Sequence, residues 1–370
     1  MKLVISAVNL VEGGTLTVLR DAKRMAADLY PDWTIHVLVH SPGLAGDTRV
    51  DELAFPDVKR SWLRRLQFEW FDARALARRL QPDVWLSLQD ITARIDVGRQ
   101  YVYCQNPSPF CTTRVAAAWL DPKFVLFRFL YGYLYGAFIH RNAAVIVQQD
   151  WTRRAFVERY GVSRVIVAHP VLPSASIDRP ARAPGPPLRF VYPAFPRVFK
   201  NFEVVGDALA LLERDEGWAG EVVLTIDGTE NRYARRIRQR YGHLRSLRFA
   251  GLQDRAAMAQ LYRHADALLF PSLLETWGLP LSEAKAQGLP ILAADLPYAR
   301  ESVGRYGQAA FFDPQDSQDL AARLRALHRG EEGFTPTDMP QPAEPFADGW
   351  PALLARILGP ARVAIEERAA

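Results

Sequence analysis

Cysteine is nearly absent: Cys104 and Cys111 are the only two in 370 residues, too few for a disulfide framework. No second pair or neighbouring histidine completes a zinc site, so both read as free thiols of a reducing cytoplasm. The chain also lacks a stretch long and apolar enough to cross a bilayer. Its most apolar segment, Phe124 to Ile139, is short and carries Arg128 and two glycines. The opening MKLVISAVNLVEGG has neither a full signal-peptide core nor a small-residue cleavage site, and reads as a buried first strand. Neither GxGxxG nor GxxxxGKS/T occurs after it, which excludes a dinucleotide fingerprint and a P-loop. No repeat of solenoid length is present.

What is present is the composition of a folded molecule, 49% hydrophobic and 24% charged. The length exceeds what one core usually holds, so two domains of roughly 150 to 200 residues each are expected. A net charge of +5 favours anions: nucleotide diphosphates, anionic lipid headgroups or nucleic acid.

Strand-like runs at Lys2–Val8, Trp33–Val39, Val84–Leu88, Gln100–Tyr103, Ala144–Val147 and Val165–Ala168 alternate with helical patterns. Among these are Thr15–Leu29 after the turn Glu12-Gly13-Gly14, and a run from Trp62 to Leu80. Such alternation predicts a mostly parallel sheet with helices on both faces. The proline-rich RPARAPGPP, Arg179 to Pro187, continues neither element and marks a linker at 179–188 between domains at 1–178 and 189–345. After it the pattern restarts at Phe190–Tyr192. A helix near Phe202–Arg214 follows, with strands at Val222–Ile226, Leu247–Phe249, Ala267–Phe270, Ile291–Ala293 and Ala309–Phe312. The fold class expected is α/β, two doubly wound Rossmann-like domains. Residues 346–370 are expected to hold a helix, Trp350 to Arg368, folding back on the first domain.

The stretch LLFPSLLETWGLPLSEAKAQGLPIL, Leu268 to Leu292, is the most informative. It places a strand, a loop with Glu275, Gly278, a helix carrying Glu283, and Gly288 at the helix end. A helix N-terminus after a strand presents unpaired N–H groups and a positive dipole end, a natural cradle for a diphosphate. Glu275-Thr276-Trp277-Gly278-Leu279-Pro280-Leu281-Ser282-Glu283 resembles the signature of family 4 GT-B glycosyltransferases, two glutamates separated by seven residues. The family's usual Phe-Gly is Trp277-Gly278 here. Phe270-Pro271-Ser272 before it and Ala286-x-Gly288-x-Pro290 after it also match.

The resemblance implies that Glu275 contacts the donor sugar hydroxyls and Glu283 the ribose of a nucleotide sugar, with Thr276, Trp277, Gly278 and Leu279 beside them. Arg197 and Lys200, in Tyr192-Pro-Ala-Phe-Pro-Arg-Val-Phe-Lys-Asn201, resemble the family's basic pair on the donor diphosphate. Two fixed cations there offset the leaving-group charge without a metal or other cofactor. Asn201 is placed to cap the helix that follows. Gly251-Leu252 falls where the family has a strand-end loop near the nucleotide and is either a contact to the base or a turn, and Gly13-Gly14 resembles the N-terminal glycine pair facing the phosphates. Where many relatives place a histidine this chain has Tyr103-Cys104-Gln105-Asn106-Pro107. Gln105 or Asn106 is then either a donor-sugar contact or part of a buried turn, and neither serves as a general base. Retaining members of the family are thought to need no such base, the leaving phosphate oxygen taking the acceptor proton.

The aromatic run from Phe124 to Phe138 reads as a buried interdomain helix. The alternative is a peripheral contact with the inner face of the plasma membrane, suited to a lipid-linked acceptor. The arginines at 232, 235, 236, 238 and 240 read as a solvated helix face, and no nucleic-acid partner is expected. The function implied is transfer of a hexose-type unit, with retention, to a saccharide or glycolipid in surface polysaccharide or lipopolysaccharide synthesis. A nucleotide-sugar epimerase, a phosphorylase and a non-catalytic scaffold of the same fold remain open alternatives.

Overall fold

A computed structural model describes residues 1–10, 13–43, 49–111, 122–170, 188–215, 217–331, 334, 339 and 341–361. The chain divides into two compact units. One takes Met1–Phe110, Phe129–Val171 and Pro342–Ala370, and the other Cys111–Arg128 and Leu172–Gln341. The linker expected at 179–188 lies outside the described residues except for Leu188.

In chain order the first stretch contains β1 (Lys2–Ser6), α1 (Gly13–Leu29), β2 (Thr34–Val39), β3 (Asp51–Ala54), α2 (Trp62–Gln67), α3 (Ala73–Leu80), β4 (Val84–Ser87) and β5 (Gln100–Cys104). It continues with α4 (Pro122–Gly136), β6 (Ala144–Val147), α5 (Asp150–Tyr160) and β7 (Val165–His169). The second stretch contains β8 (Arg189–Tyr192), α6 (Phe202–Leu212), β9 (Glu221–Leu224), α7 (Arg232–Tyr241), β10 (Leu247–Phe249), α8 (Arg255–His264) and β11 (Ala267–Phe270). After these come α9 (Leu279–Ala286), β12 (Ile291–Ala294), α10 (Pro297–Val303), β13 (Ala309–Phe312) and α11 (Ser317–Arg329). The chain then returns to the first unit as β14 (Phe346–Asp348) and α12 (Gly349–Leu358).

Both sheets are parallel in every pairing, ordered β14-β7-β6-β5-β4-β1-β2-β3 and β10-β9-β8-β11-β12-β13. Strands covered on both faces need apolar side chains at every position, which explains why AVIV of β6, ALLF of β11 and ILAA of β12 are buried throughout. In the first unit, α1 and α12 cover one face through Leu19, Ala22, Ala26, Leu353, Leu354 and Ile357. Phe68, Ala73, Leu76 and Ala77 cover the other against Val4 and Trp85.

Several expectations need adjustment. α1 begins at Gly13, before the expected Thr15, and α12 ends at Leu358 instead of reaching Arg368. Residues 362–370 lie outside the described residues. The run from Trp62 to Leu80 contains a π-helical turn, Phe68–Asp72, that shifts the buried face. Leu63 is consequently 80% exposed, whereas Arg65 and Glu69 are buried. β3 and β14 were not expected from the sequence.

Candidate donor site

In an open parallel sheet the crevice outside the strand ends opens where neighbouring connections run in opposite directions. In the second unit that point falls between β8 and β11, paired as Ala267 with Phe190 and Leu268 with Val191. The loop leaving β8 carries Arg197 and Lys200, and the loop leaving β11 carries Glu275 and Gly278. Residues 75 apart in sequence thus meet, the Lys200 ammonium donating to the Glu275 carboxylate. Each side chain is 15% exposed, so the pair is largely removed from water but open on one side. The ammonium also lies 5.5 Å from the Phe199 ring centre and 5.8 Å from that of Phe270, which favours a cation there.

Backbone and side-chain bonds hold the two loops together. Leu273 N–H donates to the Phe199 carbonyl at 2.7 Å, and the Tyr192 hydroxyl to the Lys200 carbonyl at 2.7 Å. Asn201 does not cap α6 with its side chain: it adopts a left-handed backbone, φ 55°. Its amide instead donates to the carbonyls of Pro314 (2.8 Å) and Pro271 (3.3 Å), stitching three strand-end loops together. Arg197 sits half-buried beside Phe195, its guanidinium 5.6 Å from that ring centre.

Gly278 precedes α9 with φ +78°, in the left-handed region that favours glycine. A Cβ there would come within 3.1 Å of Phe270 and 3.2 Å of Leu281. Gly278→Ala is therefore expected to lower unfolding stability by about 1–2 kcal/mol, read from urea titration. An unchanged midpoint would show that the turn relaxes freely. Trp277 is buried, with its indole N–H donating to Ser282 Oγ at 2.8 Å and its carbonyl accepting from the Ser302 hydroxyl. Phenylalanine could not make the indole bond, so the tryptophan here fixes the loop through a polar contact. Thr276 and Leu279 are half-buried beside it.

Glu283, on α9, accepts from the Tyr262 hydroxyl of α8 at 2.7 Å. Burial and that carboxylate hold the Tyr262 phenol well above its ordinary range, so it stays protonated and donates. Sequence reading missed Tyr262, because a tyrosine at helical spacing carries no signal beyond packing. Gly251 follows β10 with φ +73°, and Leu252 is 64% exposed. The sheet order sets β10 two strands from β8, about 10 Å away.

The remaining expected residues belong to the first unit. Gly13 and Gly14 open α1 after β1. Gln105 donates its side-chain amide to the Leu88 carbonyl (3.0 Å) and its backbone N–H to Asp90 Oδ1 (2.8 Å). Asn106 Oδ1 accepts from Ser108 N–H at 3.0 Å, and Asn106 N–H donates to the Tyr135 hydroxyl at 3.1 Å. These contacts favour a loop-holding role over a sugar contact for both amides.

Comparison with known proteins bears on the second unit most directly. Residues 176–337 match the family model described as Glycosyl transferases group 1. A glycogen synthase of Mycobacterium tuberculosis is 31% identical over 125 residues, a match covering 33% of this chain and 30% of that protein. The chain thus spans under a third of the length of the first curated relatives it matches. Among solved structures, the apo lipopolysaccharide outer core galactosyltransferase WaaB aligns with TM-score 0.64 at 15% identity, covering 90% of this chain and 91% of that one. Anabaena HepE in complex with UDP and glucose aligns with TM-score 0.59 at 17% identity, covering 90% and 92%. At these identities the likeness establishes the fold, two parallel-sheet α/β domains of GT-B type. Lys200, Glu275, Gly278 and Glu283 all lie inside the segment that matches that family model.

Proposed function

We propose that this chain moves a sugar from a nucleotide-sugar donor to a hydroxyl of a saccharide or lipid-linked acceptor. The observation that carries the reading is the Lys200–Glu275 pair at the β8/β11 crevice, inside the segment that matches group 1 glycosyl transferases. Lys200 and Arg197 neutralise the diphosphate, and backbone N–H groups at Gly278 and Leu279 add donors at the head of α9. Glu275 takes the sugar hydroxyls, Glu283 held by Tyr262 takes the ribose, and Gly251-Leu252 the base. The bond from the anomeric carbon to the diphosphate oxygen breaks, and one to the acceptor oxygen forms on the same face. The acceptor proton passes to the leaving phosphate oxygen, so no metal and no enzyme base is required. A cytoplasmic role in surface polysaccharide or lipopolysaccharide synthesis fits this chemistry.

A thermal-shift screen against UDP, GDP, ADP and dTDP tests the reading. One nucleotide is expected to stabilise the protein, by about 2.7 kcal/mol at a hundred times its dissociation constant. Glu283→Ala should weaken that nucleotide by roughly 1.5–3 kcal/mol, the range for a hydrogen bond to a charged group. Absence of stabilisation by all four at millimolar concentration would contradict the proposal.

A further inference from the structure

Helix α4 has one face buried and the other in solvent. Tyr131, Leu134 and Tyr135 are buried, whereas Leu126, Phe129, Leu130 and Tyr133 are 61%, 68%, 52% and 84% exposed. These four fall at i, i+3, i+4 and i+7, one continuous stripe. Beside it lies α2, joined through the edge-on contact of Trp62 with Tyr131, ring centres 5.7 Å apart. α2 adds Leu63 at 80% exposed and Trp62 at 46%. Scattered exposed leucines need no explanation, but large aromatic and aliphatic side chains grouped on two neighbouring helices do.

The charges around the stripe have one dominant sign. Phe124 to Gly136 contains Arg128 and no acidic residue. Val58 to Gln67 contains Lys59, Arg60, Arg64 and Arg65 and again no acid. Of these, Lys59, Arg60 and Arg64 are exposed, while Arg65 is buried beneath, donating to the Tyr131 hydroxyl and the Gln89 carbonyl. Arg60 pairs with Asp57 at 3.0 Å, both well exposed. No helix among the described residues is long and apolar enough to cross a membrane. Aromatic and aliphatic tips flanked by basic side chains on a short helix are the composition of a surface that rests in the headgroup region of an anionic bilayer.

We infer that the exposed face formed by α4 and the start of α2 docks this protein on an anionic lipid surface, with Leu63, Phe129 and Tyr133 entering the interface and Lys59 and Arg64 meeting the headgroups. Lys59, Leu63, Arg64, Phe129 and Tyr133 all belong to the first unit, and the inference stands independently of the donor reading. A second copy of the chain would cover the apolar stripe equally well, but it would set the basic rim of one copy against that of the other.

Co-sedimentation of the full chain with vesicles of phosphatidylcholine alone, and with an equal part of phosphatidylglycerol, tests it. Binding to the mixed vesicles is expected to exceed binding to the neutral ones by at least tenfold and to fall with added salt. Lys59→Gln with Arg64→Gln should reduce it roughly 25-fold, from about fivefold per basic residue. Leu63→Ser, Phe129→Ser and Tyr133→Ser together should abolish binding to both vesicle types, with thermal midpoint and nucleotide affinity unchanged. The unchanged nucleotide affinity separates failure of the docking surface from failure of the donor site. Equal or absent binding to both vesicle types, or a dimer that the serine variant dissociates, would overturn the inference.

Discussion

A Lys200→Met protein is expected to transfer sugar about 100- to 1,000-fold more slowly than the wild type, the loss typical of removing one preorganised donor to a developing charge. Methionine keeps the unbranched stem up to Cε and removes the ammonium that faces the rings of Phe199 and Phe270, so the main change is the missing cation. Two consequences then combine. The leaving diphosphate loses a fixed positive partner, and the Glu275 carboxylate is left largely buried without its ammonium. The second effect lowers stability as well, so turnover is measured well below the melting midpoint. Glu275→Gln separates the two: it removes the carboxylate but leaves the cation for the diphosphate. Its nucleotide affinity should stay within a few-fold of wild type, while the rate with the nucleotide sugar drops. A Lys200→Met rate within threefold of wild type would remove the cation from the proposed chemistry.

The second large effect lies in the first unit. Glu69 is fully buried at the π-helical turn, accepting from the Gln89 side-chain amide, whose amide nitrogen also lies 3.1 Å from Ser6 Oγ. Burial pushes its carboxyl up to about 8, against 4.5 for the free group, even though Arg65 and the Gln89 bond pull the other way. Below the lower value both folded and unfolded chains hold the proton. Between the two values the unfolded chain releases it and the folded one keeps it, so stability falls as pH rises, by on the order of 1.4 kcal/mol per unit. Above about 8 the loss is complete. Glu69→Gln should abolish this dependence, so its unfolding midpoint, measured across pH 5 to 8 (~3 units) beside wild type, gains steadily on it. Parallel curves would show that Glu69 is ionised throughout.

The difference between what was legible in the sequence and what was not follows from the range of the interactions. Strands such as AVIV at 144–147 and ALLF at 267–270 declare themselves because a two-faced parallel sheet demands unbroken apolar runs. The three residues Phe346–Asp348 do not: their extended form comes from pairing with β7, far away in the chain. β3 is a charged edge strand, half to fully exposed, and DELA reads as a loop. The paired-glutamate stretch could be read because its strand, turn and helix are contiguous. The partners that tune it, Lys200 for Glu275 and Tyr262 for Glu283, come from other elements and depend on strand order. A carboxylate inside a helical run normally faces solvent, so nothing in the residues around Glu69 signals the turn that buries it.

The most direct test of the central claim is a crystal structure of the full chain soaked with the nucleotide that stabilises it best. The account predicts the diphosphate at the C-terminal ends of β8 and β11, within hydrogen-bond reach of Lys200 Nζ and the head of α9, with the ribose on Glu283. A nucleotide bound anywhere else, with the Lys200–Glu275 pair undisturbed and its crevice empty, would contradict it.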